Sequence, residues 1–386
     1  MSDTASSEQQ RDGSGSLFAR SKSTKRNFAL VIHGGAGAIT REESTEEQRT
    51  AYKRALGVAL KAGHAVLEEG GEAMDAAVAA VMQLENNPLF NSGRGAVFNV
   101  AGKNELDVSL MLSKHPSNRS DILSSRRGVG ITGLTKIKNP SSLARSLYLS
   151  PSTFPHTLIS GPGAETLNTD PSQVVEDPCY FFTKTRWTSH RRGLGLPAEP
   201  YPCDESEWDS DSALARDEPG NTVGAVALDE RGAIAAVTST GGLTNKLVGR
   251  IGDTPVMGSG FWAEEWVPEE TVYGKLLQWI IPRGTRAMGI SGTGDGDYYI
   301  RLNTASTIIH RMKFLGESLK SATNFALKEL TGAKATGGVI GLDGEGNAML
   351  MMNTPGMYRG VIRPDGVAKV GIFADEELTV APSANA

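Results

Sequence analysis

A threonine deep inside a chain needs a base beside it to act as a nucleophile. One way to supply the base is to cut the chain in front of it, so that its own α-amine is freed. Thr222 has the setting for this. It follows the acidic run DESEWDSD and a Pro-Gly pair, and it stands near the start of GNTVGAVALDERGAIAAVTSTGGLTNKLVGRIGDTPVMGSG, Gly220 to Gly260. A cut at Asn221–Thr222 gives an amine with a pKa of about 7.7–8.0, which can take the hydroxyl proton near neutrality. Taken alone, Thr222 reads better as an ordinary β-branched residue opening a strand than as a nucleophile. Thr240, in TSTGG, either steadies the nucleophile through its hydroxyl or caps a turn. Arg250 and Asp253 lie three apart in GRIGD. A guanidinium holds a carboxylate in a bidentate fork and a carboxylate holds an ammonium, so the two suit the zwitterionic half of a free amino acid. As an isolated surface pair they would contribute little.

Positioning these groups requires sheets and covering helices. Phe28–Ile32 reads as a buried strand feeding the glycine loop HGGAG. Tyr52, Leu56, Ala59, Gly63, Val66 and Leu67 share one face of a helix predicted over Glu47–Leu67, closed by Gly70-Gly71, and an alanine-rich helix follows over about Glu72–Leu84. Val223–Leu228 and Ala233–Thr238 flank the turn Asp229–Gly232 and predict a hairpin. The pattern Thr222, Gly224, Leu228-Asp229, Gly232, Thr240 recurs 114 residues later as Thr336, Gly338, Leu342-Asp343, Gly346, Thr354, which points to two related hairpins in two sheets or two central positions. The region between them, about Leu302–Leu330, reads as helical. Sheets flanked by helices predict an α/β layered sandwich. Residues 1–26 are polar and read as a disordered tail, with Arg20–Arg26 as a candidate address, and about 204–221 reads as an exposed, flexible linker.

Bulk properties narrow the function class. The 386 residues suffice for a sizeable core in one large or two small domains. A net charge of −5 argues against nucleic acid or anionic membrane as the main partner. No apolar run of membrane-spanning length occurs and no apolar segment follows the start, so a cytoplasmic protein is expected. On that reading the sequon Asn118-Arg119-Ser120 is inert, and the two cysteines, Cys179 and Cys203, are free thiols in a reducing compartment.

Six separated motifs resemble, in order, the plant-type L-asparaginase / isoaspartyl aminopeptidase family of N-terminal-nucleophile hydrolases. They are VIHGGAG (Val31–Gly37), LENNPLFNSGRGAVFN (Leu84–Asn99), ELD (Glu105–Asp107), the stretch from Gly220 to Gly260, SGTGDGD (Ser291–Asp297) and NTPGMYR (Asn353–Arg359). The resemblance spans about Asn27 to Phe373. It implies a four-layer αββα sandwich, one domain over 27–386, and self-cleavage into an α subunit (1–221) and a β subunit (222–386). It implies Thr222 as nucleophile, Thr240 as its support, Arg250 and Asp253 as contacts to the substrate's α-carboxylate and α-amine, and Thr293 with Gly294 as the oxyanion hole. Asn91 is expected to touch the active site. Backbone carbonyls of Leu84, Glu85, Asn87, Phe90, Ser92 and Arg94 are expected to hold a monovalent cation such as sodium. No organic cofactor is implied, and the expected assembly is a homodimer of αβ units. His33 is expected to be structural, because the Thr222 amine already serves as base.

The implied reaction is hydrolysis of the side-chain amide of L-asparagine and of β-aspartyl (isoaspartyl) dipeptides through a β-aspartyl ester on Thr222. Two alternatives stand beside it: a glycosylasparaginase-like or taspase-like relative with a larger substrate, and an unprocessed binding protein. Three departures from the family pattern bear on them. Asn221 stands where many relatives have Gly or Asp, Met111-Leu112-Ser113 replaces Met-Asp-Gly, and Glu264–Arg286 reads as an insertion with Trp266 and Trp279 that could cover the site entrance. The GxGxxA match at Gly258–Ala263 is rejected as a dinucleotide fingerprint, since the residues before it suit a turn rather than a strand. Asp295 and Asp297 lack the ligand pattern of a calcium loop.

Overall fold

In a computed structural model, residues 27–204, 213–216, 221–268 and 285–383 are described. The tail 1–26 and most of the linker lie outside them. In chain order the elements are β1 (Ala29–Gly37), α1 (Glu46–Glu68), α2 (Ala73–Glu85), β2 (Leu106–Leu112), β3 (Gly128–Leu134), α3 (Pro140–Tyr148), β4 (Leu158–Ser160), α4 (Gly161–Glu165), α5 (Lys184–Gly193), β5 (Val223–Leu228), β6 (Ile234–Thr240), β7 (Phe261–Trp266) and β8 (Arg286–Gly294). Next come α6 (Gly296–Leu302), α7 (Thr304–Leu315), α8 (Leu319–Gly332), β9 (Gly337–Asp343), β10 (Ala348–Met352), β11 (Gly356–Ile362), β12 (Lys369–Phe373) and β13 (Thr379–Val380).

The strands form two sheets, one of nine in the order β13-β12-β11-β1-β5-β6-β2-β3-β4 and one of four in the order β10-β9-β8-β7. Strand alternation assigns side chains to faces. Leu30 and Ile32 of β1, with Ala225 and Ala227 of β5, join the core beneath α1, α2 and α3. Their neighbours Ala29, Val31, Val226 and Leu228 turn the other way, onto Phe261, Ala263, Ile340 and Leu342 of the smaller sheet. Met288, Ile290 and Val339 on the far face of that sheet pack against Ile308 and Ile309 of α7 and Leu327 and Leu330 of α8. The fold is therefore α/β, with three apolar clusters stacked through two sheets.

The two predicted helices are present as α1 and α2, and Thr45 with Gln48 makes a capping box at the start of α1. The two related hairpins fall one in each sheet, β5–β6 and β9–β10. The expected Leu302–Leu330 helix is instead divided, because Gly316 takes a left-handed φ of +70° and ends α7. HGGAG is not a loop. β1 runs through it to Gly37, with a register break between His33 and Gly35 against β11.

Two further expectations are corrected. Cys179 and Cys203 are not free thiols: they form a disulfide, their Cα atoms 5.8 Å apart across 24 residues. A count of cysteines carries no information on which loops return to each other, and the argument from free thiols to a reducing compartment loses its ground. Part of the described linker is docked rather than exposed. Ala215 and Arg216 are buried, and the Arg216 peptide group accepts from Arg186 Nη1 (3.2 Å) and donates to Tyr52 Oη (3.2 Å).

α1 and α2 approach closely at Gly63, where a Cβ would lie 2.5 Å from Leu30 Cδ2 and 2.7 Å from the Ala76 carbonyl oxygen. Gly63→Val is expected to lower stability by about 1–3 kcal/mol through overpacking. Val58→Thr, on a half-exposed position of the same helix, should change it by less than about 0.5 kcal/mol. Urea melts of both check this.

Candidate functional site

Thr222 lies immediately before β5 and is buried. Three elements hold it. Its backbone N–H donates to Thr293 Oγ1 at the end of β8 (3.3 Å), its Oγ1 donates to Thr240 Oγ1 at the end of β6 (3.3 Å), and its carbonyl accepts from His33 Nδ1 on β1 (3.0 Å). Thr240 Oγ1 also accepts from the Gly242 N–H (3.0 Å). The predicted nucleophile, its supporting threonine and the oxyanion-motif threonine thus meet at one point, contributed by both sheets.

His33 fixes more than the sequence reading gave it. The Thr222 carbonyl can only accept, so Nδ1 carries the proton; Nε2, 2.8 Å from Ser291 Oγ, then accepts from that hydroxyl. Ser291 Oγ accepts in turn from Thr238 Oγ1 (2.7 Å). This directed chain crosses from β1 to β8 and on to β6. It passes through the space left by Gly224, where a Cβ would lie 2.2 Å from Ser291 Oγ and 2.5 Å from His33 Nε2. Burial pushes the imidazole down to about 3, its bond to Thr222 opposing only in part, so the ring is neutral. Asn221 packs on the glycine strand: a Cβ on Gly35, whose φ is +115°, would lie 2.2 Å from Asn221 Cβ. That requirement explains a glycine in HGGAG at this position.

The substrate-type groups line the same cleft, which is bounded by Thr222, Thr240, Gly242, Leu243, Arg250, Gly252, Asp253, Gly294 and Gly296. Asp253 is buried. Its Oδ2 has no hydrogen-bond partner in the structure, and burial pushes its carboxyl up to about 7. Gly260 and Gly296 make room for it, since a Cβ on either would come within 2.8 Å and 2.3 Å of its oxygens. Arg250 pairs with Asp297 of α6 (2.8 Å). Gly294 has a φ of +136°, and a Cβ there would lie 2.3 Å from the Thr336 carbonyl oxygen. Tyr299, which the sequence reading passed over, is buried and directs its hydroxyl at the carbonyls of Thr293 (3.1 Å) and Gly338 (2.9 Å). Only its place just after SGTGDGD could have marked it.

Asn91 sits behind the cleft. Its Nδ2 donates to the Gly242 carbonyl (2.7 Å) and its backbone carbonyl accepts from the Gly241 N–H (2.9 Å), so these two groups brace the Thr240–Gly242 turn while its Oδ1 accepts from the Val97 N–H (2.9 Å). In the loop after α2 the glycines run close to carbonyl oxygens: a Cβ on Gly93 would lie 2.4 Å from the Glu85 oxygen, and one on Gly95 2.8 Å from the Phe90 oxygen. The carbonyls of Leu84, Glu85 and Asn87 also accept backbone N–H groups, from Asn87, Arg94 and Phe90. Ser92 Oγ lies 2.7 Å from Ser239 Oγ. Glu85 is buried with its carboxyl pushed up to about 7 by burial, and it accepts from Ser141 N–H, Ser141 Oγ and Ser239 Oγ. Among the described residues, no group of three or more His, Cys, Asp or Glu side chains could hold a metal ion. The GxGxxA match runs directly into β7, as its rejection requires.

The α/β fold brings Thr222, Thr240, Arg250 and Asp253 to one cleft, and comparison with known proteins fixes the family. The Asparaginase family model matches residues 26–268 and 281–372. The chain is 34% identical to the isoaspartyl peptidase of Salmonella typhimurium, over 86% of this chain and 93% of the relative. It is 31% identical to the plant-type L-asparaginase of Pyrobaculum calidifontis (88% and 98%), and 30% to the isoaspartyl peptidase/L-asparaginase of Mus musculus (92% and 93%). The chain belongs to the plant-type L-asparaginase / isoaspartyl aminopeptidase family and is a hydrolase. No described helix is long and apolar enough to cross a membrane.

The insertion is shorter than Glu264–Arg286. Glu264–Trp266 belong to β7, Trp266 is buried among α7 and α8 side chains, and the family model leaves only 269–280 unmatched. Trp279 lies outside the described residues. Both described flanks leave the β7–β8 hairpin where Trp266 pairs with Arg286, seven residues along β8 from Thr293. That is roughly 23 Å at about 3.3 Å per residue, so the insertion is rooted at the end remote from the cleft. Met111-Leu112-Ser113 continues β2: Met111 enters the inter-sheet core and Ser113 pairs with Ile234.

His33 gives stability a pH dependence. Between its depressed folded pKa and the ordinary value near 6.5, the unfolded chain binds a proton there that the folded chain does not. Stability is therefore lost as pH falls through that window, by about 1.4 kcal/mol per pH unit at most. Glu85 and Asp253, raised by burial, contribute the opposite slope. His33→Gln keeps those two and removes only the imidazole's contribution, so in urea melts between about pH 4 and 6.5 the stability of the variant relative to wild type should rise as pH falls, by up to about 1.4 kcal/mol per pH unit. A difference between the two proteins that does not change with pH would refute the assignment.

Proposed function

We propose that this hydrolase matures by cutting its own Asn221–Thr222 bond and then hydrolyses the side-chain amide of L-asparagine and of β-aspartyl dipeptides. The observation that carries the reading is Asp253: a buried carboxylate with an unpartnered oxygen, opening on the cleft that holds Thr222 and set three residues from Arg250. Burying such a charge unpaired is costly, so the site is built to receive a cation. A substrate α-ammonium supplies it, and its α-carboxylate goes to Arg250. The β-carbonyl then falls toward Thr222.

In maturation, Thr222 Oγ attacks the Asn221 carbonyl. The peptide shifts from nitrogen to oxygen, and water hydrolyses the ester, leaving an Asn221 carboxylate and a free Thr222 amine. In turnover, that amine takes the Thr222 hydroxyl proton as Oγ adds to the substrate's β-carbonyl. The oxyanion is received by the Thr293 hydroxyl and the Gly294 N–H. The amine passes its proton to the departing ammonia or amino acid, and water cleaves the β-aspartyl ester to release aspartate. Thr240 steadies Oγ, and His33 holds the carbonyl of the same residue.

Three finer readings belong to this proposal. The three stacked apolar clusters support a four-layer αββα arrangement. The family match across the loop after α2 supports a monovalent cation held there by backbone carbonyls, which would stiffen the segment carrying Asn91. A homodimer of αβ units is the assembly proposed.

Wild type is expected to separate into residues 1–221 and 222–386 by intact mass and to release aspartate from L-asparagine and β-Asp-Leu. Thr222→Ala should stay whole and inert. A wild-type chain that stays whole and turns over neither substrate overturns the reading.

Substrate affinity should strengthen as pH rises through about 7, where Asp253 ionises. Asp253→Asn should raise KM by about 10- to 100-fold, as for loss of a charged hydrogen bond, and remove that step from the pH profile of 1/KM. Persistence of the step in the variant would assign it to another group.

A further inference from the structure

The two groups that would grip a zwitterion are not treated alike by their surroundings. Asp253 is buried and has a carboxylate oxygen without a partner, whereas Arg250 already has one: its Nη2 lies 2.8 Å from Asp297 Oδ1. The arginine side chain is mostly covered, while the Asp297 side chain is half exposed. Arg250 reaches across Gly252, where a Cβ would lie 2.7 Å from Nη1, so the bare glycine leaves space for this pose. Asp297 stands in the first turn of α6, whose opening residue Gly296 lines the cleft beside Asp253.

We propose that Asp297 is a resident counter-ion for Arg250, displaced by the substrate's α-carboxylate at each turnover, and that it thereby sets how weakly the enzyme holds its substrate. This rests on Arg250 being the α-carboxylate contact. An ion pair with an exposed carboxylate contributes little, because water and salt already screen it. It is therefore strong enough to park the guanidinium in the empty site and weak enough to yield. The substrate exchanges one carboxylate partner for another at Arg250, so its net gain there is only the difference between the two. At Asp253 it gains an ion pair where none existed. Affinity then comes mainly from the ammonium side, and the carboxylate side selects for shape at little gain in binding.

The test is steady-state kinetics of processed enzyme on L-asparagine and β-Asp-Leu with Asp297→Asn, Asp297→Glu, Arg250→Ala and the Arg250→Ala/Asp297→Asn double variant. Asp297→Asn keeps the size of the side chain and removes the competing charge. It should lower KM about two- to fivefold, the range for an exposed pair, with kcat following wild type, as expected for an interaction lost equally from ground and transition states. Asp297→Glu should return KM toward wild type. In the Arg250→Ala background the Asp297→Asn effect should vanish, since the partner is gone. If Arg250→Ala leaves KM unchanged, the assignment of Arg250 itself fails. If Arg250→Ala raises KM but Asp297→Asn raises it too or leaves it unmoved, Arg250 stands as a contact and the counter-ion proposal is overturned.

Discussion

The organising constraint is the grip on Thr222. Its nitrogen, hydroxyl and carbonyl are each held by a different strand, β8, β6 and β1, and those strands come from two sheets. Much of the unusual sequence nearby follows from that crossing. Gly224 leaves the hole through which His33 meets Ser291, and Gly35 accepts the Asn221 side chain. Gly294 lets β8 end against Thr336. Each small residue is placed where a methyl group would push the sheets apart or displace a hydrogen bond. Single glycine substitutions there would act on the site without touching a reacting atom.

The electrostatics of the cleft divide by depth. His33 is deep and neutral, so it contributes direction rather than charge. Asp253 is deep but opens on the cleft, and it keeps an unmet demand for a cation. Arg250 and Asp297 lie nearer the surface, where charge is cheap to keep and to exchange. Glu85, also deep, is satisfied by Ser141 and Ser239 and ties α3 and β6 to the end of α2.

How much of this could be read from the residues depends on whether a feature is local. α1 and α2 were legible because amphipathic spacing is a property of a few turns. The hairpins were legible because turn residues separate apolar runs. Thr222, Thr240, Arg250 and Asp253 stood out because they are close in sequence and share a chemistry. His33 and Tyr299 did not, because what they do is defined by partners 189 and 39 residues away. The disulfide was missed for the same reason, as was the docking of Arg216 under Tyr52. HGGAG read as a loop because glycine runs usually break strands, whereas here β5 pairs with β1 as far as His33 and β11 carries the ladder on through Gly37.

The strand order of the large sheet carries one more consequence. Strands before residue 221 and strands after it alternate: β1 lies between β11 and β5, and β6 lies against β2. A backbone cut at 221–222 would leave two polypeptides interleaved like the fingers of clasped hands, joined by three complete strand ladders. Neither could leave without dismantling the centre of the sheet. Both cysteines belong to the upstream piece, so no covalent link would join the two. Their union would persist through the height of the barrier to unweaving rather than through a binding equilibrium. Dilution, which separates ordinary subunits, would have no hold on it.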